Sequence, residues 1–341
     1  MIGKTGGCSK LPKVVVLSPF PEGVIRSFFS RFLASTKIQV DFVTFVQPDM
    51  DSIKKELEDA EVVVGDYTFR VPITADMVEH MNKVKLIQQP STGFNHIDID
   101  ACRRKGIPVA NIGGANSISV AEHTIILALL LMKRIFYAHM KLIEGVWTQG
   151  ELMNAATEIS GKTWGIVGGA GRIGKEVAKR AGALGASLIY FDKVRLPEKE
   201  EKKLKLTMRP LENLLMESDI VSLHVPLTDE TRGMIDEKRL RSMRPNAILI
   251  NTSRGELVNE NDLARSVIEG WIGGAGVDVF SEEPPGPSNP LVLAAKEGAP
   301  VILTPHIAGA TFDARNRIIQ TTVENVGRVL LGQPPENVVN P

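Results

Sequence analysis

Between Thr163 and Asp192 the sequence runs strand, glycine turn, helix, strand: TWGIV, then GGAGRIG, then a helical stretch through Leu184, then LIYF closing on Asp192. A crossover helix between two strands returns the chain in the same direction, so this unit predicts a parallel pair. Three glycines spaced Gly169-x-Gly171-x-x-Gly174 arise by chance about 0.2 times in a chain this rich in glycine, so the spacing alone says little. Its place between strand and helix gives it meaning. The first glycine permits the tight turn, the second lets backbone approach a pyrophosphate, and the third lets helix pack on strand. Gly168 and Gly169 both stand where the first could be. The helix N-terminus adds free N–H groups and a positive dipole end for phosphates. Asp192 lies 18 residues beyond Gly174, placed to accept from a ribose diol. A 2′-phosphate there would meet like charge, so NAD is expected over NADP.

The rest of the chain repeats the grammar. Strands are predicted at 13–18, 39–45, 62–65 and 84–88, with helices at 24–33, 51–57 and 75–81 between them. Further strands follow at 163–167, 188–191, 220–223, 247–250, 276–279 and 301–303. Apolar strands alternating with helices specify an α/β protein whose parallel sheets are covered on both faces. A length of 341 residues suits roughly two domains. Small, permissive stretches at 111–116 and 307–310 are placed where the chain would cross between them. The expected organisation is a discontinuous domain, 1–112 plus 310–341, with a continuous one, 113–309, inserted. Ser119 and Glu122 could form a capping box ahead of a helix over 124–143. Its apolar run 125–132 suits a junction between domains or subunits, and a homodimer is expected through it. The charge-dense stretch 193–205 is expected to be a solvated surface.

Composition closes off other classes. Forty basic residues balance forty acidic ones, which argues against broad electrostatic capture of nucleic acid. The longest apolar run is far short of the ~20 residues of a membrane helix. The N-terminal MIGKTGGCSK lacks a signal-peptide core, and two cysteines, Cys8 and Cys102, make no disulfide framework. A reducing, cytoplasmic setting is therefore expected. No cluster has metal-ligand spacing, so no metal is expected.

In a parallel sheet the ligand crevice lies beyond the carboxyl ends of the strands. Three segments bring four reactive side chains there: Arg254 in NTSRG, Asp278 and Glu283 in DVFSEEP, and His306 in TPH. An arginine fork binds a carboxylate bidentately and polarises the adjacent carbonyl. A histidine exchanges protons near neutrality, and a carboxylate beside it stabilises the imidazolium and orients the ring. Together these suit reduction of a 2-oxo acid.

The motifs SVAEHT (119–124), GAGRIG (169–174), HVPLTDETRGMI (224–235), NTSRGELVNENDL (251–263), GVDVFSEEP (276–284) and TPHIAGAT (304–311) stand in order along the chain. With them the chain resembles the D-isomer-specific 2-hydroxyacid dehydrogenases, which include glyoxylate/hydroxypyruvate reductases and phosphoglycerate dehydrogenases. The resemblance implies a Rossmann doubly wound sheet inserted into a flavodoxin-like substrate domain. It implies Arg254, Glu283 and His306 as catalytic residues. Nucleotide contacts map to Gly169, Gly171, Arg172, Ile173 and Gly174, to Asp192, to Val225, Pro226 and Thr231, to Thr252 and Ser253, and to Asp278, His306 and Gly309. A substrate loop maps to Ser91, Thr92 and Gly93, whose backbone N–H groups would hold the substrate carboxylate beside Arg254 and His306. The chain departs from the family pattern by one extra residue in the glycine turn and by Asn95 where aspartate is usual. Of the other histidines, His80 and His139 are expected to be exposed, His123 to pack, His224 to lie near the cofactor without titrating, and His96 to lie by the substrate loop. Tyr67, Phe69 and Arg70 follow a strand end and could face substrate. Two other functions fit the same residues: an NAD(H)-sensing co-repressor-like binding protein, and a formate- or phosphite-type dehydrogenase.

Overall fold

The computed structural model describes residues 11–47 and 49–340; Cys8 and the N-terminal stretch read above lie outside them. The chain forms two compact units. One holds the described residues through Asn116 and from Phe312 onward, the other Ser117–Thr311. The expected boundaries fell at 112/113 and 309/310, whereas the units divide at 116/117 and 311/312. The turn before Ser117 stays with the first unit, where Thr92 Oγ1 donates to Asn116 Oδ1 at 2.9 Å.

The first unit is built on β1 (Lys13–Val16), β2 (Asp41–Thr44), β3 (Val62–Val64), β4 (Leu86–Gln88) and β5 (Val109–Ala110). They pair in parallel in the order β2-β1-β3-β4-β5, the doubly wound order of flavodoxin-like sheets. Alternate residues serve opposite faces. Val15, Val63 and Ile87 pack with Ile53, Leu57, Met77 and Cys102, and Val14, Val16 and Val62 pack with Ile25, Phe29 and Val326. Burial pushes the Cys102 thiol up to about 11, so it is a protonated packing residue. The returning helix Phe312–Leu330 is fastened to the sheet by Asn325, whose Nδ2 donates to Gln88 Oε1 at 2.5 Å. β5 has two residues, too few for any periodicity to announce it.

The second unit is built on β6 (Thr163–Val167), β7 (Ser187–Phe191), β8 (Leu206–Met208), β9 (Ile220–Leu223), β10 (Ile248–Asn251), β11 (Gly274–Val277) and β12 (Val301–Leu303). The order is β12-β11-β10-β9-β6-β7-β8, every ladder parallel. This is the Rossmann order with one further strand, and its switch point lies between β6 and β9. The predicted strands 247–250 and 276–279 are shifted, which leaves Asn251 inside β10 and Asp278 just past β11.

Several local expectations give way to geometry. Ser119 and Glu122 do not form a capping box, because the helix already begins at Ser117. Ser119 Oγ instead donates to Ala308 O at 2.7 Å, and Glu122 pairs with Arg180. The predicted helix 124–143 is two helices, Ser117–Met132 and Ile135–Ile143, broken where Arg134 turns left-handed at φ 51°. Within the apolar run, Ile125, Leu127, Ala128 and Met132 are buried in this unit's own core. Ile126 of the run is 50% exposed, but most of the exposed apolar surface here belongs to the next segment, where Phe136, Ile143 and Trp147 are 59%, 67% and 76% exposed. The stretch 193–205 is not wholly solvated either. Its helix Glu198–Leu204 buries Glu201, which accepts from Tyr190 Oη at 2.7 Å and from Arg195 Nε and Nη2 at 3.1 and 3.0 Å.

Candidate active site

At the carboxyl edge of the seven-stranded sheet, β6 runs into the glycine turn. Gly168 takes φ 88°, a region closed to residues with a Cβ, and an added Cβ would lie 2.5 Å from His224 O. Of the two glycines that could open the turn, Gly168 therefore takes that role, while a Cβ on Gly169 would lie 2.4 Å from Tyr190 Cβ. Gly174, in the first turn of the helix Arg172–Ala183, packs so closely that a Cβ would lie 2.4 Å from Gly168 O. Asp192, just past β7, accepts from Ala170 N at 3.0 Å through Oδ2. An open groove of about 990 Å³ runs along β8 and the helix before it, lined by Phe191, Arg195, Lys205, Met208 and Arg209 among others. Its lining includes none of the glycine turn, Asp192 or His306. Crowded glycines, a helix N-terminus without a side-chain cap and a terminal carboxylate are what a dinucleotide needs, so the residues present fit NAD.

The loop after β9 is held by Thr231, whose Oγ1 donates to Pro226 O at 2.7 Å. Ser253 Oγ donates to Val225 O at 2.6 Å and so ties this loop to the turn after β10. Asn251 shapes that turn from both sides. Its Nδ2 donates to Arg254 O at 2.8 Å and its Oδ1 accepts from Ser253 N at 3.1 Å. His224 buries both ring nitrogens without a partner, and burial lowers its pKa to about 3, so it is neutral as expected.

Arg254 is largely withdrawn from solvent. Burial lowers its pKa against the opposing charges of Glu283 and Glu256, yet arginine remains a cation under any such shift. Its Nη1 donates to Ser253 O at 2.6 Å, and no carboxylate among the described residues lies within 4.0 Å of it. Glu283 accepts from Phe280 N at 3.0 Å through Oε1 and meets His306 Nδ1 at 2.6 Å through Oε2. Burial would raise the Glu283 pKa, but the His306 and Phe280 hydrogen bonds and the charges of His306 and Arg254 outweigh it and hold the carboxyl below its ordinary range. With Nδ1 on Glu283, His306 keeps Nε2 for another partner; its side chain is 40% exposed.

Asp278, expected as a nucleotide contact, is fully buried, and its carboxylate is spent on the loop that carries His306. Oδ1 accepts from Thr304 Oγ1 at 2.5 Å and Ile307 N at 2.9 Å, and Oδ2 from Ala308 N at 2.8 Å. The sequence pattern showed an acid at a strand end; only the packing shows that it faces inward.

Ser91, Thr92 and Gly93 belong to the first unit. There Gln89 Nε2 donates to Ser91 Oγ at 2.8 Å, Ser91 Oγ to Gly93 O at 2.7 Å, and Asn111 Nδ2 to Thr92 O at 3.0 Å. Beside them Asp66, missed in the sequence because it sits in an ordinary-looking turn, is buried and accepts from Thr68, Arg70 and Val71. It shapes the 67–70 loop, in which Phe69 takes φ 60° and meets the His96 ring edge-on at 4.6 Å. His139 is exposed, and His80 lies 4.0 Å from Glu58. Among the described residues no group of three or more His, Cys, Asp or Glu could hold a metal ion, and no helix is long and apolar enough to cross a membrane.

Comparison with known proteins agrees with this geometry. Residues 125–308 match the sequence profile of the D-isomer specific 2-hydroxyacid dehydrogenase, NAD binding domain. The chain is 38% identical over 295 residues to a glyoxylate reductase of Korarchaeum cryptofilum, covering 86% of each. It is 41% identical over 273 residues to a glyoxylate reductase of Thermococcus litoralis, covering 79% of this chain and 80% of that one. Among solved structures, D-lactate dehydrogenase from Aquifex aeolicus, complexed with NAD and lactic acid, superposes with a TM-score of 0.81 at 31% identity, over 96% of this chain and 99% of that one. A match over more than half of the chain, relatives above 30% identity along most of its length, and the His306–Glu283 pair on a Rossmann edge lead to one conclusion: the chain belongs to the D-isomer-specific 2-hydroxyacid dehydrogenase family.

Proposed function

We propose that the protein reduces a small 2-oxo acid, glyoxylate or hydroxypyruvate first among them, to the (D)-2-hydroxy acid with NADH in preference to NADPH. One observation carries the reading: a carboxylate-backed histidine shares its sheet edge with a desolvated arginine that no carboxylate of the described residues approaches within 4.0 Å. Arg254 would take the substrate carboxylate and draw charge onto the C2 carbonyl oxygen. Bound NADH supplies the hydride for C2. His306, with Glu283 fixing Nδ1, holds a proton on Nε2 for the oxygen that becomes the alkoxide. Donors aimed at that oxygen bind the transition state more tightly than the ground state. Ser91, Thr92 and Gly93 enter as carboxylate contacts through the family resemblance alone.

The preference for NADH rests on Asp192 and on Arg195. An arginine near this position can accept a 2′-phosphate, but here both Nε and Nη2 of Arg195 are taken by Glu201. The exposed apolar segment around Phe136, Ile143 and Trp147 supports a homodimer in which a second copy covers it; a monomer mass by light scattering at micromolar concentration removes that part of the reading. The free, buried Cys102 is in keeping with a reducing cytoplasm.

The deciding experiment follows oxidation of NADH and NADPH in parallel with glyoxylate, hydroxypyruvate and pyruvate, and reduction of NAD with formate. Turnover of a 2-oxo acid with a higher kcat/KM for NADH is expected, and Asp192→Ala should narrow that gap without abolishing turnover. Equal kcat/KM for the two cofactors in the unaltered protein defeats the preference, and turnover of formate alone defeats the reaction.

A further inference from the structure

The helix Ser117–Met132 is mostly apolar, but three of its polar side chains, Ser119, His123 and Thr124, each reach a different part of the reactive loops. Ser119 Oγ donates to Ala308 O at 2.7 Å. His123, expected only to pack, places Nε2 3.0 Å from Thr304 Oγ1 and 3.6 Å from Asp278 Oδ1. Thr304 has a single hydroxyl proton and spends it on Asp278, so His123 Nε2 must donate to it. Thr124 Oγ1 already donates to Val120 O at 2.8 Å, so across the 3.1 Å to Thr252 Oγ1 it is the acceptor. The first two contacts bracket the loop 304–308, and the third fixes the start of the turn that carries Arg254.

The loop so bracketed holds an unfavourable backbone. His306 takes φ 53°, the left-handed region a side chain avoids, and its N–H donates to Asp278 O at 2.8 Å. A conformation of that kind persists only where its surroundings over-determine it. We infer that Ser119, His123 and Thr124 are positioning residues for hydride transfer: through Ala308, Thr304 with Asp278, and Thr252 they lock the His306 and Arg254 loops to one rigid helix. This rests on the reading of His306 as the proton donor, but the locking itself is measurable without turnover.

The test compares His123→Phe, which fills the space without an N–H, with His123→Gln, which keeps a donor. Hydrogen exchange at the Ile307 and Ala308 amides should quicken in His123→Phe and stay near wild type in His123→Gln. Reduction of glyoxylate should lose about 10-fold in kcat in the first, as misplacement of a reacting group does, and recover in the second, with the NADH Kd by fluorescence titration unchanged in both. In a Thr304→Val background, His123→Phe should add nothing further. Wild-type exchange in His123→Phe, an equal loss in both variants, or a Kd that moves in step with kcat overturns the inference. If exchange responds as expected but the wild type turns over no 2-oxo acid, the locking stands and the proposed reaction fails. Should His123→Phe not fold, Ser119→Ala reads the same loop, and wild-type exchange there overturns the inference equally.

Discussion

The glycine turn after β6 and the loop after β12 leave the same sheet edge, yet they are held by opposite means. The turn keeps its shape because side chains are missing: a Cβ on Gly168 or Gly174 would strike backbone. The loop keeps its shape because side chains are present: the two Asp278 oxygens accept from Thr304, Ile307 and Ala308, and Ser119 donates to Ala308 O. One region fails when atoms are added and the other when polar atoms are removed, since a deleted partner leaves a buried group unsatisfied. The two failures should also differ in kind. Damage to the turn should appear in cofactor binding, and damage at the loop in the chemical step.

The sharpest way to break that separation is His306→Ala. Loss of a positioned acid should lower kcat by about 10²–10⁴-fold, with the NADH Kd near wild type in a fluorescence titration. A variant that keeps its kcat with chemistry rate-limiting removes His306 as the acid. One that loses NADH affinity as steeply as kcat denies that the two regions are separate.

Gly174→Ala should do the converse. Its Cβ meets backbone rather than the end of a flexible side chain, so the turn itself must give way. Overpacking of this kind costs about 1–3 kcal/mol, and at ~1.4 kcal/mol per decade the NADH Kd should rise by about 5- to 100-fold. The kcat at saturating NADH should stay within a few-fold of wild type. An unchanged Kd would mean that the close packing of helix on turn does not shape the nucleotide site.

The same contrast explains what could be read from the sequence. A glycine announces itself, because few other residues tolerate its conformations, so the turn was legible even though the role of Gly168 needed the φ angle. Arg254, Glu283 and His306 were legible because strand ends in a parallel sheet point one way. Asp278 was legible as an acid but not as a brace, since sequence shows that a carboxylate is near an edge and not which way it faces. Ser119 was misread as a cap because its partner, Ala308, is 189 residues away. The break at Arg134 escaped notice because both flanking helices are apolar and no glycine or proline marks it. β8 was hidden by the charged stretch before it, where Lys205 turns left-handed into a three-residue strand.

Glu283→Gln probes the smallest effect, because Glu283 belongs to neither extreme: it is half-exposed, and one of its oxygens serves backbone while the other serves His306. Its folded pKa lies below the ordinary 4.5 despite a burial cost that pushes the other way. A carboxyl whose pKa is depressed on folding contributes stability that is complete above its unfolded pKa and is lost as pH falls through the folded value. The wild type should therefore melt above Glu283→Gln at about pH 5, and the margin should close as the pH falls below about 4.5. Solvent screening at a group this exposed keeps the margin modest, at most about 2–4 °C for a domain of this size. Thermal melts of both proteins across that range decide the matter. A margin that stays constant to pH 3 would mean that Glu283 stabilises the fold by its shape alone, and that its hold on His306 is not an electrostatic one.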